Sequence, residues 1–324
     1  MNIDMIRAAA ARLSGRARRT PLLSSPFLDG LAGRRLLLKA ECLQHTGSFK
    51  FRGGWSAISA LDPDIRSKGV IAYSSGNHAQ GVAHAATLHG IPSVIVMPAD
   101  APQLKIANTR ALGAEVVLYD RAGGEDRGAI GQAISQERGL TLIKPYDEPL
   151  VIAGQGTCGL EIAEQMAEAG IENAEVLVNC GGGGLTAGVA LALEAEAPPL
   201  RVRPVEPERF DDTARSLISG QIERNESESG SICDAILTNG PGENTFPILQ
   251  RLCGPGLVVT EDECLRAMAL AFLRLKIVLE PGGAASLAAA LFHGGDLQGD
   301  TVVAIATGGN VDPSMFTRAL ETLD

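Results

Sequence analysis

Four consecutive glycines, Gly181, Gly182, Gly183 and Gly184, stand between an apolar run at 174–180 and a helix-like run at 185–197. Glycine lets the backbone turn with positive φ and lets amide groups close on an anion, and a following helix adds unpaired N–H groups and its positive dipole end. The segment therefore predicts a phosphate cup. No lysine followed by serine or threonine comes after the glycines, so a nucleotide loop that needs that lysine on its phosphates is excluded. Read as Gly182-x-Gly184-x-x-Ala187, with Glu206 about 20 residues on, the same segment satisfies the dinucleotide fingerprint. A second reactive element is Lys50, held between Phe49 and Phe51 in the string TGSFKFRGG that starts at Thr46. Desolvating aromatic neighbours favour the neutral amine, which is the state that forms imines.

Elements able to position these groups alternate along the chain. From Lys68 onward, short apolar runs at 70–73, 93–97, 115–118 and 141–143 alternate with amphipathic runs at 79–89, 103–112 and 126–138. Gly or Pro at the boundaries and the shortness of the apolar runs predict parallel strands buried on both faces, hence a doubly wound α/β sheet. A second series begins with a helix near 159–169 and continues through strands at 174–180, 201–205 and 301–306. The strand expected at 35–40 has no evident partner in the first series and is expected to cross over to the second. Ligands in such sheets bind beyond the carboxyl ends of the strands. Three loops have that position: Ser74-Ser75-Gly76-Asn77-His78, the glycine cup, and Thr307-Gly308-Gly309-Asn310. The polar, glycine-rich stretch 220–247 is expected to form a long loop over a site or an interface.

The 324 residues suffice for two domains, and a net charge of −10 disfavours nucleic acid as a partner. The six cysteines lack C-x-x-C spacing and read as reduced thiols of a cytoplasmic protein. No uncharged apolar run reaches the ~18 residues that a membrane helix needs.

A phosphate cup together with an imine-competent lysine points to pyridoxal 5'-phosphate, whose phosphate needs the one and whose aldehyde needs the other. The strings TGSFKFRG, SSGNHAQGVA, VIAGQGT, GGGGLTAG and TGGNVD, in this order and spacing, resemble the fold-type-II pyridoxal-phosphate enzymes, in the branch of serine racemases and serine/threonine or hydroxyaspartate dehydratases. The resemblance implies a tryptophan-synthase-β-like fold of two doubly wound parallel-sheet domains. Residues 1–55 and 147–324 would form a discontinuous large cofactor domain, and 56–146 a small one. It also implies that Lys50, beside Phe49, binds the cofactor aldehyde, that Gly181 to Gly184 hold the phosphate, and that Asn77 meets the phenolic oxygen. Thr307 would stand beside the pyridine nitrogen, and Ser74, Ser75, Gly76, Asn77 and His78 would bind the substrate carboxylate.

The implied reaction is loss of water from serine, threonine or 3-hydroxyaspartate, giving a 2-oxo acid and ammonia. Ser75 matches serine racemases, so an amino-acid racemase is the alternative, with Ser75 serving the face that Lys50 cannot reach. A nicotinamide-dependent oxidoreductase is the alternative of another class. Glu206, the Phe210 carbonyl and Asp212 resemble the metal loop of serine racemase, an all-oxygen set suited to Mg²⁺ or Ca²⁺. His45 and Arg127 are candidates for meeting a second substrate carboxylate. The family likeness also leads to a homodimer as the expected assembly.

Overall fold

Short apolar runs bounded by Gly or Pro fill the inner rows of a sheet when helices cover both of its faces. In the computed structural model, which describes residues 1–74, 76–101, 103–120, 123–227 and 229–323, they build two sheets. The strands are β1 (Leu22–Ser24), β2 (Arg35–Lys39), β3 (Val70–Tyr73), β4 (Ser93–Pro98), β5 (Glu115–Tyr119), β6 (Thr141–Leu142), β7 (Ala174–Asn179), β8 (Leu200–Pro207), β9 (Leu257–Val259) and β10 (Thr301–Ile305). Six form a sheet in the order β1-β2-β10-β7-β8-β9, and four form a second in the order β5-β4-β3-β6. The four strands expected between residues 70 and 143 are β3 to β6, within one residue at each end. β4 and β7 are buried along their whole length, as strands covered on both faces must be.

Among the described strands all pairings are parallel except β1 with β2. That exception departs from the all-parallel expectation, and its cause is the short link: only the helix Pro26–Ala32 lies between the two strands, too little chain for a parallel crossover. β2 lies beside β10, with Arg35 opposite Thr301 and Lys39 opposite Ile305. The helix Pro281–Phe292 is apolar on nearly every side and accordingly buried throughout all but its last residue.

The helix expected from 159 begins at Pro149 and runs to Glu168. Glu148 caps it by accepting from the Leu150 and Val151 amides, with Pro149 in the first turn. Its glycines, which look like loop punctuation, are packing sites. A Cβ on Gly154 would stand 2.5 Å from the Arg52 carbonyl oxygen, and one on Gly156 would stand 2.8 Å from that of Gly188.

Beneath the helix Lys50–Ser59 lies a buried ionic network. Arg52, 1% exposed, donates from Nε to Glu41 at 2.8 Å and from Nη1 to Glu161 at 2.7 Å. Lys39 reaches Glu161 at 2.6 Å. The network ties β2 and two helices to the segment that bears Lys50. Among the described residues no helix is long and apolar enough to cross a membrane.

Candidate active site

The carboxyl ends of β3, β7 and β10 open onto one cleft, lined by Ser74, Asn77, Lys50, Thr307 and the four glycines. The loop after β7 turns at Gly183 with φ of 86°, a left-handed conformation that a side chain would strain, and the helix Gly184–Glu196 starts there without a side-chain cap. Its first N–H groups therefore remain available to an anion. Thr186, in this first turn, has a buried hydroxyl with no hydrogen-bond partner. Thr245 fixes the loop by donating to the Gly182 carbonyl at 2.8 Å. The Tyr146 ring lies so close to Gly182 that any side chain there would overlap it.

Lys50 opens the helix Lys50–Ser59, and its position is set by the chain's far end. Ser48 forms a β-bridge with Gly308, the Phe49 amide donates to the Thr307 carbonyl at 3.2 Å, and the Gly309 amide donates to the Gly47 carbonyl at 2.9 Å. Lys50 Nζ donates to the Pro145 carbonyl at 2.8 Å and lies 5.2 Å from the centre of the Phe49 ring. Burial lowers its pKa from 10.5 to about 8, so a neutral, nucleophilic amine is accessible near neutral pH.

Asn77 begins the helix Asn77–Leu88. Its Nδ2 donates to Glu280 at 2.6 Å, and its Oδ1 accepts from Asn310 Nδ2 at 2.7 Å. His78 is 3% exposed, with Nε2 at 2.9 Å from the Ile143 carbonyl. Burial, and then the charge of Lys50, push its pKa to about 3. A neutral ring facing a carbonyl through Nε2 must bear its hydrogen there, which leaves Nδ1 as a bare acceptor with no partner. Ser74 Oγ accepts from the Gly76 amide at 3.3 Å. Ser75 lies outside the described residues. The Thr307 hydroxyl accepts from Asn179 Nδ2 at 2.9 Å and keeps its own O–H to donate.

Sequence reasoning missed Glu280. It stands at the N-cap position of the helix Pro281–Phe292 with its side chain turned to Asn77 instead of the helix amides, is 4% exposed, and lines the cleft. Burial, with the charge of Asp234 adding to it, raises its pKa to about 7. An acid before a proline reads as an ordinary helix start, and its partner Asn77 is too distant in sequence to betray it. Gln155 and Thr238 were missed as well. Both line the cleft with a buried oxygen that has no partner. His78, Gln155, Thr186 and Thr238, each with a buried polar atom that has no partner, thus line one cavity, as expected of a site built for a polar group. With the open helix end and Lys50, they fit pyridoxal phosphate.

Of the two candidates for a second carboxylate, Arg127 lines the cleft, its guanidinium 5.7 Å from the Tyr73 ring centre. His45 does not. Its ring packs edge-on against Phe51 at 4.9 Å and near His84 at 5.6 Å, outside the lining.

The acidic loop after β8 is separate from the cleft. Glu206, fully buried, accepts from the Thr213 and Ala214 amides at 2.9 and 2.8 Å, capping the helix Asp212–Ser219. That placement keeps Glu206 from reading a ribose, so the dinucleotide fingerprint lacks its acid. Asp212 accepts from Asn225 through Oδ1, while its buried Oδ2 has no partner. Burial, and then the proximity of Asp212, hold the Glu206 carboxyl well above the usual range. Phe210 is buried between them in sequence. Among the described residues no group of three or more His, Cys, Asp or Glu side chains is arranged to hold a metal.

Comparison with known proteins agrees with this geometry. The model of the pyridoxal-phosphate dependent enzymes matches residues 13–308. The L-threo-3-hydroxyaspartate ammonia-lyase of Pseudomonas sp is 43% identical over 318 residues, 98% of each chain. The crystal structure of the T.th. threonine deaminase superposes with a TM-score of 0.90 at 48% identity, covering 96% of this chain and 99% of that one. Maize serine racemase superposes equally well, with a TM-score of 0.90 at 36% identity over 99% of this chain and 97% of its own. With cleft, fold and sequence in agreement across nearly the whole length, the chain belongs to the pyridoxal-phosphate dependent enzyme family, with the fold of its type-II members.

Proposed function

We propose that this enzyme is an ammonia-lyase that removes water from a small β-hydroxy amino acid and releases a 2-oxo acid and ammonia. The observation that carries the reading is the Lys50 amine, depressed to about 8 in the same cleft as an open, glycine-lined helix end. Three relatives at 43, 41 and 38% identity are ammonia-lyases acting on L-threo-3-hydroxyaspartate or L-threonine, which supports it.

Pyridoxal phosphate, when bound, supplies an electron sink for the charge left by removal of the α-proton. The amides of 181–184 and the Thr186 hydroxyl would hold its phosphate, with Phe49 beside the ring. The Thr307 hydroxyl would donate to the ring nitrogen. Because a hydroxyl gives up no proton there, charge at the α-carbon is best relieved by prompt loss of the β-hydroxyl. Glu280 orients the Asn77 amide, whose second N–H would serve the phenolic oxygen. The Lys50 amine, neutral at pH above about 8, accepts the α-proton as general base. The loop from Ser74 to His78, at a helix end without a side-chain cap, would take the substrate carboxylate. His78, neutral and bonded to Ile143, stays out of proton transfer.

A second reading, amino-acid racemase, is favoured by the likeness to maize serine racemase and by Ser75 in the sequence. Release of oxo acid from L-serine, L-threonine and L-threo-3-hydroxyaspartate separates the two. Absence of oxo acid with all three, alongside inversion of any of them, would overturn the lyase reading.

We further propose a divalent cation, Mg²⁺ or Ca²⁺, held by Glu206, Asp212 and the Phe210 carbonyl, a reading supported by the orphaned Asp212 Oδ2. The assembly is read as a homodimer. A reducing, cytoplasmic setting suits six free cysteines, five of them buried. Residues 56–146 are read as the small domain, and residues 1–55 and 147–324 as the large one.

A further inference from the structure

One ion pair spans the cleft and has no part in the chemistry above. Lys105 belongs to the helix Gln103–Ala111, on the side of the four-stranded sheet, and Asp234 to the short turn Asp234–Ile236, on the side of the six-stranded one. Lys105 Nζ lies 3.2 Å from Asp234 Oδ2, and both residues line the cleft with Lys50. The pair is asymmetric, because the Lys105 side chain is 16% exposed and that of Asp234 is 62% exposed. An ammonium so far from water needs an anion beside it, whereas a carboxylate so well solvated can rotate away at small cost. The other acids that act on Lys105 are Glu280 and Asp312. Glu280 is committed to Asn77 and Asp312 acts only through its charge, whereas Asp234 is hydrogen-bonded to Lys105 and is therefore the exchangeable partner. Arg127 adds a second cation to the lining.

We propose that Lys105 reads a second carboxylate on the substrate, and that Asp234 occupies this position until such a substrate displaces it. The inference rests on the reading of the cleft as an amino-acid site and names the substrate class, a β-hydroxy amino acid with a β-carboxylate. Serine and threonine have no group to exchange for Asp234 and leave the internal pair in place. For a dicarboxylic substrate, Lys105 stays paired throughout while Asp234 turns to water. Selectivity then equals the difference between two carboxylates competing for one ammonium, and Asp234 sets its threshold.

The test uses the holoenzyme and two ligands with no β-hydroxyl to lose, L-aspartate and L-alanine, titrated by the change in visible absorption. The quantity read is the ratio of their affinities. Lys105→Gln should reduce the preference for aspartate by about tenfold, as expected for one lost charge-assisted partner. Asp234→Asn should increase it several-fold, by removing the competitor. A ratio that Asp234→Asn leaves unchanged or lowers overturns the inference, and that variant decides alone should Lys105→Gln fail to fold. Oxo-acid release from serine with no response of the ratio refutes this inference and spares the lyase reading. A responsive ratio with no β-hydroxy amino acid consumed does the reverse. If neither ligand alters the spectrum, both fall.

Discussion

Replacing Lys50 with methionine should make the cofactor-free protein more stable at neutral pH. Burial depresses the amine from 10.5 to about 8, and a depression of that size corresponds to about 3 kcal/mol of folding free energy. The sign follows from proton uptake. An unfolded lysine keeps its proton up to about pH 10.5 while the folded one releases it near 8, so the cost is complete below pH 8, shrinks between the two values and vanishes above them. Methionine has similar length and no charge, but it forgoes the 2.8 Å bond to the Pro145 carbonyl, a loss of about 1 kcal/mol. The variant should therefore gain about 2 kcal/mol at pH 7, and the gap should close or invert near pH 10. Urea unfolding of both proteins, stripped of cofactor, measures this at each pH. A variant less stable at pH 7, or a gap that ignores pH, would refute the claim that the reactive amine is held in a destabilised state.

Arg52→Leu should cost about 3 to 5 kcal/mol in the same assay, because it leaves the fully buried Glu41 carboxylate without its cation; a loss under about 1 kcal/mol would mean that water or Lys39 compensates. Prolonged chelation should lower both the melting temperature and the activity, since an ion bound only to the folded state adds to its stability. Neither should change if Glu206 and Asp212 merely cap their helix. Ser75→Ala should abolish any racemisation while sparing elimination from the L-isomer, measured by chiral chromatography and oxo-acid release; parallel loss of both would show that Ser75 serves substrate binding instead.

Local pattern announced what local physics determines. The alternation from Lys68 onward located β3 to β6 because strands covered on both faces must be short and apolar, and helices between them must be amphipathic. The gathering of the glycine loop, Lys50 and Thr307 at one cleft was legible because each sits just beyond a strand or at a helix start. Tertiary demands were less visible. The first turns of the helix Pro149–Glu168 were hidden because Gly154 and Gly156 answer to backbones on neighbouring helices and not to their own segment. Glu280 and the Lys105–Asp234 pair escaped notice because their meaning lies in partners more than a hundred residues away. His45 lies outside the cleft lining because its ring packs against Phe51 and His84, contacts that its position in the chain does not announce.

The position of β10 has a consequence for how the enzyme comes into being. This strand enters the large sheet between β2 and β7, and the residues after it hold the Lys50 loop through Gly308 and Gly309. The small sheet uses only strands between residues 70 and 142 and can close while later segments are still being made. The large sheet must wait for a strand that leaves the ribosome after β1 to β9. Until then β2 pairs only with β1, and β2 and β7 each present an open edge to other chains. Joining them requires contacts across most of the chain, the kind that form slowly. Docking of β10 therefore anchors the Lys50 loop, and a polypeptide interrupted before residue 301 is left with an unanchored Lys50 and two adhesive edges.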